Sequence, residues 1–179
     1  MNSDSAQQSG NGTSGHVPAP LRQVLRVRIQ DTQCAIDLAQ VERVLPLVEL
    51  QQVPGGPPHL AGLMNYRGES LAVVDLGIWL GMQDAQPYSL DTPIVLCREA
   101  GLRVAFVVSE AMQIEAAESA AVQMQAAFEQ GEAAFTASLN LTSGLALLLD
   151  MRRIMTHNFA AAGARIPAGA YSPSAEPAA

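Results

Sequence analysis

Basic side chains are scarce in this chain of 179 residues: ten Lys and Arg stand against 17 Asp and Glu, leaving a formal charge of −7. Nucleic acids and anionic membrane surfaces are held by clustered cations, so neither is an expected partner. Long apolar runs are also missing. None approaches the ~20 residues that cross a bilayer, and the opening "MNSDSAQQSGNGTSGH" has neither the basic nor the apolar stretch of an export signal. The expectation is a cytoplasmic protein without direct membrane insertion. Cysteines number two and histidines three. Cys34 and Cys97 each fall in an expected strand, where lone thiols act as buried apolar side chains rather than as a disulfide. His16, His59 and His157 are scattered through tail, loop and helix end, with no second ligand at a metal spacing. No metal or other cofactor is implied.

What is present is apolar: 49% of the residues, enough for one packed core. Composition divides the chain into a tail, a core and a second tail. Residues 1–20 are rich in Ser, Gly, Asn and Gln, and residues 159–179 turn to Ala, Pro, Gly and Ser. Neither can bury enough surface to offset its ordering entropy, so both are expected to be disordered. The folded unit is expected over residues 21–158.

Within it strands dominate. "VLRVRI" from Val24 to Ile29 alternates at period two, "QDTQ" supplies a turn, and "CAIDL" begins the return of a hairpin. A similar hairpin starts at Ile94 with "IVLC", turns at "REAG" and returns as "LRVAFVV". The similarity continues, because "LAVVDLGIWL" and "ALLLDMRRIM" share an apolar strand, an aspartate and a following helix start. Asp75 and Asp150 occupy the same slot. A carboxylate there accepts from the free N–H groups of a first helical turn, so both aspartates are expected to serve the fold. Two copies suggest a mainly β protein of two small barrels side by side, roughly residues 21–90 and 91–158, with short helices. The seam between them is the first place to look for function.

The stretch from Gly62 to Gly81, "GLMNYRGESLAVVDLGIWLG", resembles the signature of CheW-like domains: a Gly, an Asn-x-Arg-Gly turn, an apolar strand ending in Asp-Leu, and a Leu-Gly. Upstream "IDLAQVERVLPLVELQQVPGGPPHLAG", and downstream "GLRVAFVVSEAMQI" and "GLALLLDMRRIM", are similar to that family's other segments in the same order. The resemblance spans about Val24 to Met155. It implies two SH3-like five-stranded barrels and a non-catalytic chemosensory adaptor. Such an adaptor links methyl-accepting chemotaxis receptors to the regulatory domain of a CheA-type histidine kinase, in arrays at the inner membrane. The residues agree where they can, since no nucleophile stands beside a base, and there is neither a phosphate loop nor a phosphoacceptor histidine. Asp37, Asp75 and Asp150 are spread over separate strand ends and form no catalytic constellation. A ligand-binding or regulatory module that uses the seam as a pocket is the alternative.

The resemblance places partner-binding residues at Asn65, Arg67 and Gly68. A turn tip lies in water, Gly68 permits a positive φ, and a guanidinium there can fork onto a carboxylate of another protein. An exposed arginine with no partner is the plainer reading. Val41 and Val44 match family positions that line a groove for a receptor helix hairpin, and ordinary core packing accounts for them equally well. Gly62, Gly81, Asp75 and Asp150 match structural positions. In "VERV" the chain departs from the family, because Arg43 stands where Glu is usual. That reversal implies a partner with a complementary acid. Ser109 replaces a customary Asp. The segment from Glu115 through Glu118, Met124 and Phe128 is alanine-rich and predicts a short helix bridging the barrels. Together these departures suggest a dedicated array, for surface sensing, twitching or cyclic-di-GMP output, rather than the general flagellar adaptor.

Overall fold

A computed structural model describes residues 22–82, 87–117 and 134–160, with side chains as far as residue 156. Its elements are β1 (Arg22–Ile29), β2 (Thr32–Asp37), a 3-10 turn (Leu38–Gln40), β3 (Val41–Pro46), β4 (Leu60–Tyr66), β5 (Glu69–Asp75), α1 (Leu76–Trp79), β6 (Pro93–Glu99), β7 (Leu102–Val107), β8 (Glu110–Ala117), β9 (Phe135–Leu141), β10 (Gly144–Leu149) and α2 (Met151–Ala160). Both expected hairpins form, with Val27 opposite Cys34 in one and Cys97 opposite Val104 in the other. Helix α2 continues through Ala160, past the start expected for the second tail. The rest of that tail, the first tail and residues 118–133, with Glu118, Met124 and Phe128, lie outside the described residues. Glu115, expected at the start of a helix, lies within strand β8 instead. There it accepts from the Ser143 amide at 3.2 Å and from Gln113 Nε2 at 3.1 Å.

The strands form two five-stranded sheets, ordered β8-β1-β2-β10-β9 and β3-β6-β7-β5-β4. The duplication is visible in this order: β1 to β5 and β6 to β10 are equivalent, strand for strand. The sheets nevertheless do not divide the chain near residue 90, as the repeat suggested. Each takes its hairpin from one copy and its other three strands from the other. Asp37 turns the chain out of the first hairpin by accepting from Ala39 N at 3.0 Å, and β3 then pairs with β6 of the second copy. The copies join through the antiparallel pairs β1–β8 and β3–β6 and the parallel pairs β2–β10 and β5–β7.

Three apolar cores result. Ala35, Leu139, Leu141, Ala146 and Leu148 fill the first sheet, and Met64, Leu71, Val73, Ile94, Leu96 and Ala105 fill the second. Between the sheets lies the third and largest, where Val27, Ile29, Cys34 and Ile36 meet Val95, Cys97, Val104 and Phe106 beneath Met151, Ile154 and Met155 of α2. Central strands are therefore buried on both faces, which is why they read as unbroken apolar runs. The seam is packed with side chains rather than open as a pocket. Cys34 and Cys97 are free thiols inside it, and burial pushes both up to about 12.

In each sheet the two end strands, β8 and β9 or β3 and β4, are not paired as a ladder among the described residues. After β3 the chain crosses to β4, where Gln51 and Leu63 exchange backbone hydrogen bonds of 2.8 and 2.9 Å. Gly62 is fixed by that crossing, since a Cβ there would stand 2.8 Å from the Gln51 carbonyl oxygen.

Candidate partner-binding site

The β4–β5 connection is the shortest the hairpin allows. Tyr66 pairs with Glu69, leaving Arg67 and Gly68 as the turn, with φ of 55° and 86°. Two successive positive φ values make a type I′ turn, whose twist matches the strands. Asn65 closes it by accepting from the Gly68 amide at 3.0 Å. Gly68 tolerates its conformation, whereas Arg67 bears a cost of ~1–2 kcal/mol for a left-handed non-glycine residue. The turn thereby holds Arg67 in solvent. Its guanidinium lies 5.2 Å from the centre of the Tyr66 ring and makes no hydrogen bond or ion pair among the described residues.

Around this turn the strands of the second sheet present a charged rim. Arg103 on β7 donates to Glu42 on β3, with Nε–Oε2 at 2.9 Å, and to Glu69 on β5 at 2.7 Å. Its guanidinium also lies 5.7 Å from the Tyr66 ring centre. The hydrogen bond from Arg103 holds the Glu42 carboxyl below the usual carboxylate range, and the same pairing raises Arg103. Arg98 stands directly opposite Arg103, and Arg43 opposite Leu96, so both continue the face that covers the core of the second sheet. Arg43 and Arg98 are exposed.

Glu42 sits in a β-bulge between Val41 and Arg43. The extra residue lets Val41 and Val44 face the same side, because they oppose Cys97 and Val95, both in the seam core. Val41 packs against that core, and Val44 is left 41% exposed at its edge. The structure thus sets Arg43 and Arg98 on the face of the second sheet that also carries Arg103, seats Arg67 and Arg103 against the same Tyr66 ring, and sets Val41 and Val44 on the other face of β3. Sequence reasoning missed Arg98, Arg103 and Tyr66. The signal was there in the hairpin register, which places Arg98 and Arg103 together across the "REAG" turn.

The remaining positions serve the fold. Asp75 and Asp150 are the N-terminal caps of α1 and α2, and Gly81 follows α1 with φ of 77°. Ser109 accepts from the Gln30 amide at 2.8 Å. A cleft of about 400 Å3 lies elsewhere, lined by Arg28, Asp75, Tyr88, Thr92 and Ser109. Its polar groups already bond: Tyr88 donates to Asp75 at 2.6 Å and Arg28 to Glu110 at 3.0 Å.

A duplicated pair of five-stranded sheets with a filled seam, and three exposed arginines without an ion pair among the described residues on the rim of the second sheet, defines a β scaffold whose polar features lie on its outer surface. The chain belongs to the CheW-like domain family, whose model matches residues 23–159. A probable chemotaxis protein CheW of Rhizobium etli is 28% identical over 74 residues, 41% of this chain and 48% of that protein. The match therefore spans about half the length of that relative. The crystal structure of scaffolding protein TtCheW from Thermoanaerobacter tengcongensis superposes with a TM-score of 0.66 at 16% identity, covering 74% of this chain and 90% of that one. At that identity the likeness is one of fold.

Proposed function

We propose that this protein is a non-catalytic adaptor that couples methyl-accepting chemotaxis receptors to the regulatory domain of a CheA-type histidine kinase, in the cytoplasm beneath a receptor array. Membership of a scaffold family supports the reading, and no described helix is long and apolar enough to cross a membrane. The observation that carries it is Arg67, held in solvent by a strained turn with no ion pair among the described residues to account for it. Val44, left 41% exposed at the edge of the seam core, offers an apolar contact on the opposite face of β3. The exposed Arg43, in the family's usual Glu position, favours partners from a dedicated array. Purified protein is mixed with a kinase regulatory domain and with a receptor cytoplasmic tip, and binding is followed by calorimetry. Wild type should bind, and Arg67→Glu should abolish at least one interaction while leaving the melting temperature within about a degree, as substitutions at exposed positions do. Unchanged binding to both by the variant would remove Arg67 from the interface. Absence of binding by wild type to either would overturn the adaptor reading.

A further inference from the structure

The two copies of the repeat share one fold, so residues that the fold requires recur in both. Asp75 and Asp150 recur, and so do the hairpins. Of the arginines on the second sheet's rim, Arg98 alone has an arginine counterpart. Matching the hairpin registers, Arg103 corresponds to Gln33, and Arg98 to Arg28. The edge strands place Gln113 where Arg43 stands, since Ile114 opposes Leu25 as Val44 opposes Val95. Thr142 occupies the place of Arg67 in the β9–β10 turn. Only one cation is common to both rims, and in the first sheet it is neutralised: Arg28 donates to Glu110 at 3.0 Å and to the Gln30 carbonyl at 3.0 Å. The second rim carries Arg43, Arg67, Arg98 and Arg103 against Glu42 and Glu69. Both carboxylates are taken by Arg103, leaving three exposed arginines unpaired among the described residues.

This concentration of positive charge stands on a chain of net charge −7 whose cations are all arginine. We propose that the rim of the second sheet is a docking surface for an acidic protein segment, gripped by Arg43, Arg67 and Arg98, with Arg103 as a positioning residue that fixes Tyr66 beneath Arg67. The proposal rests on the adaptor reading for its setting and adds to it Arg98, Arg103 and the chemistry of the partner. Guanidinium groups bind carboxylates in bidentate geometry, and arginines drawn from strands β3 and β6 and the β4–β5 turn suit carboxylates spread along a segment. A nucleic acid would meet the field of the whole anionic chain over many phosphates. A short acidic segment meets the rim alone. Val44 on the other face of the same edge strand widens the contact for a protein, not for a small anion.

The probe is hexaglutamate, with hexaglutamine and inorganic phosphate as controls, read on the arginine Nε–Hε resonances of the full chain at low salt. Hexaglutamate should shift Arg43, Arg67 and Arg98, leave Arg22 and Arg152 in place, and bind at least about tenfold more weakly to the Arg43→Gln/Arg98→Gln variant, a difference of ~1.4 kcal/mol. Arg103→Gln should weaken binding while its effect is relayed to the Arg67 resonance. Equal shifts at all arginines, or none, would overturn the proposal, as would phosphate or hexaglutamine reproducing the pattern at the same concentration. The wild-type map decides the matter even if a variant fails to fold. Because no kinase or receptor enters this experiment, its outcome is separate from that of the adaptor test.

Discussion

Asp75 and Asp150 make the same two bonds one repeat apart. Each carboxylate accepts from the amide three residues on, Ile78 and Arg153, at 2.9 Å. Each backbone N–H reaches back to the residue just before an earlier strand, His59 O at 2.8 Å and Ala134 O at 2.7 Å. The two differ in what surrounds them. Asp75 is 8% exposed and its second oxygen accepts from the Tyr88 hydroxyl at 2.6 Å; burial, and then this contact, raise the tyrosine. Loss of a cap costs ~1 kcal/mol, and an orphaned buried partner adds ~1–3 kcal/mol. Chemical denaturation should therefore find Asp150→Ala destabilised by ~1 kcal/mol and Asp75→Ala by ~2–4 kcal/mol. Equal losses would show that the Tyr88 contact contributes nothing.

The signature glycines should separate in the same assay. Gly68 has φ of 86° and open space where a Cβ would go, so Gly68→Ala bears backbone strain alone, ~1–2 kcal/mol. Gly62 has φ of 149°, and its added Cβ would meet the Gln51 carbonyl at 2.8 Å and Leu50 Cβ at 3.0 Å. Backbone cannot yield as a side-chain tip can. Gly62→Ala should cost more than Gly68→Ala, ~3 kcal/mol or above, as overpacking is added to strain. Reversal of that order would show that the β3–β4 crossing is looser than its two hydrogen bonds imply.

Much of this fold was legible in the sequence because the repeat is carried by short-range signals. Period-two alternation gave the hairpins, and an aspartate after an apolar run gave both caps. The exchange of strands between copies was not legible, since no local feature tells β3 to pair with β6 rather than with its own hairpin. The site divides likewise. Arg67 stands out beside Gly68 in a turn, but its positive φ does not, because arginine is a rare residue there. Arg98 and Arg103 are unremarkable in the chain and meaningful only across a ladder. The shift from Glu to Arg at residue 43 also needed the bulge to interpret: Glu42 keeps its charge but spends it on Arg103.

That last pairing makes an acid-side prediction. Arg103 holds Glu42 below the usual carboxylate range, chiefly by hydrogen bonding. A carboxyl whose folded pKa lies below its unfolded value of about 4.3 takes up protons first in the unfolded chain. Its contribution to stability is complete above that value and is lost as pH falls through the folded one. The slope of unfolding free energy between about pH 5 and 3 should be shallower in Glu42→Gln than in wild type, and alike above pH 6. An unaltered slope would show that the Arg103 pairing of Glu42 does not contribute to acid sensitivity.

Strand exchange between the copies has a consequence that a chain of two consecutive barrels would not share. Leu90 is 87% exposed in the turn before β6, so the backbone can be severed between Leu90 and Asp91 without breaking a strand. The N-terminal piece then holds β1 and β2 without β8 or β10, and β3 to β5 without β6 or β7. The C-terminal piece is deprived in the same way. In each, the seam residues that should face one another belong to sheets that are both incomplete, and side chains such as Phe106, Ile36 and Met151 lose their cover. Neither piece should unfold cooperatively alone. Mixed in equal amounts they should restore the native far-ultraviolet circular dichroism as a 1:1 complex whose midpoint rises with concentration, as mass action requires. A contiguous two-barrel arrangement predicts the opposite, two pieces that each melt cooperatively at a concentration-independent midpoint, so a single melt of either piece decides between the topologies.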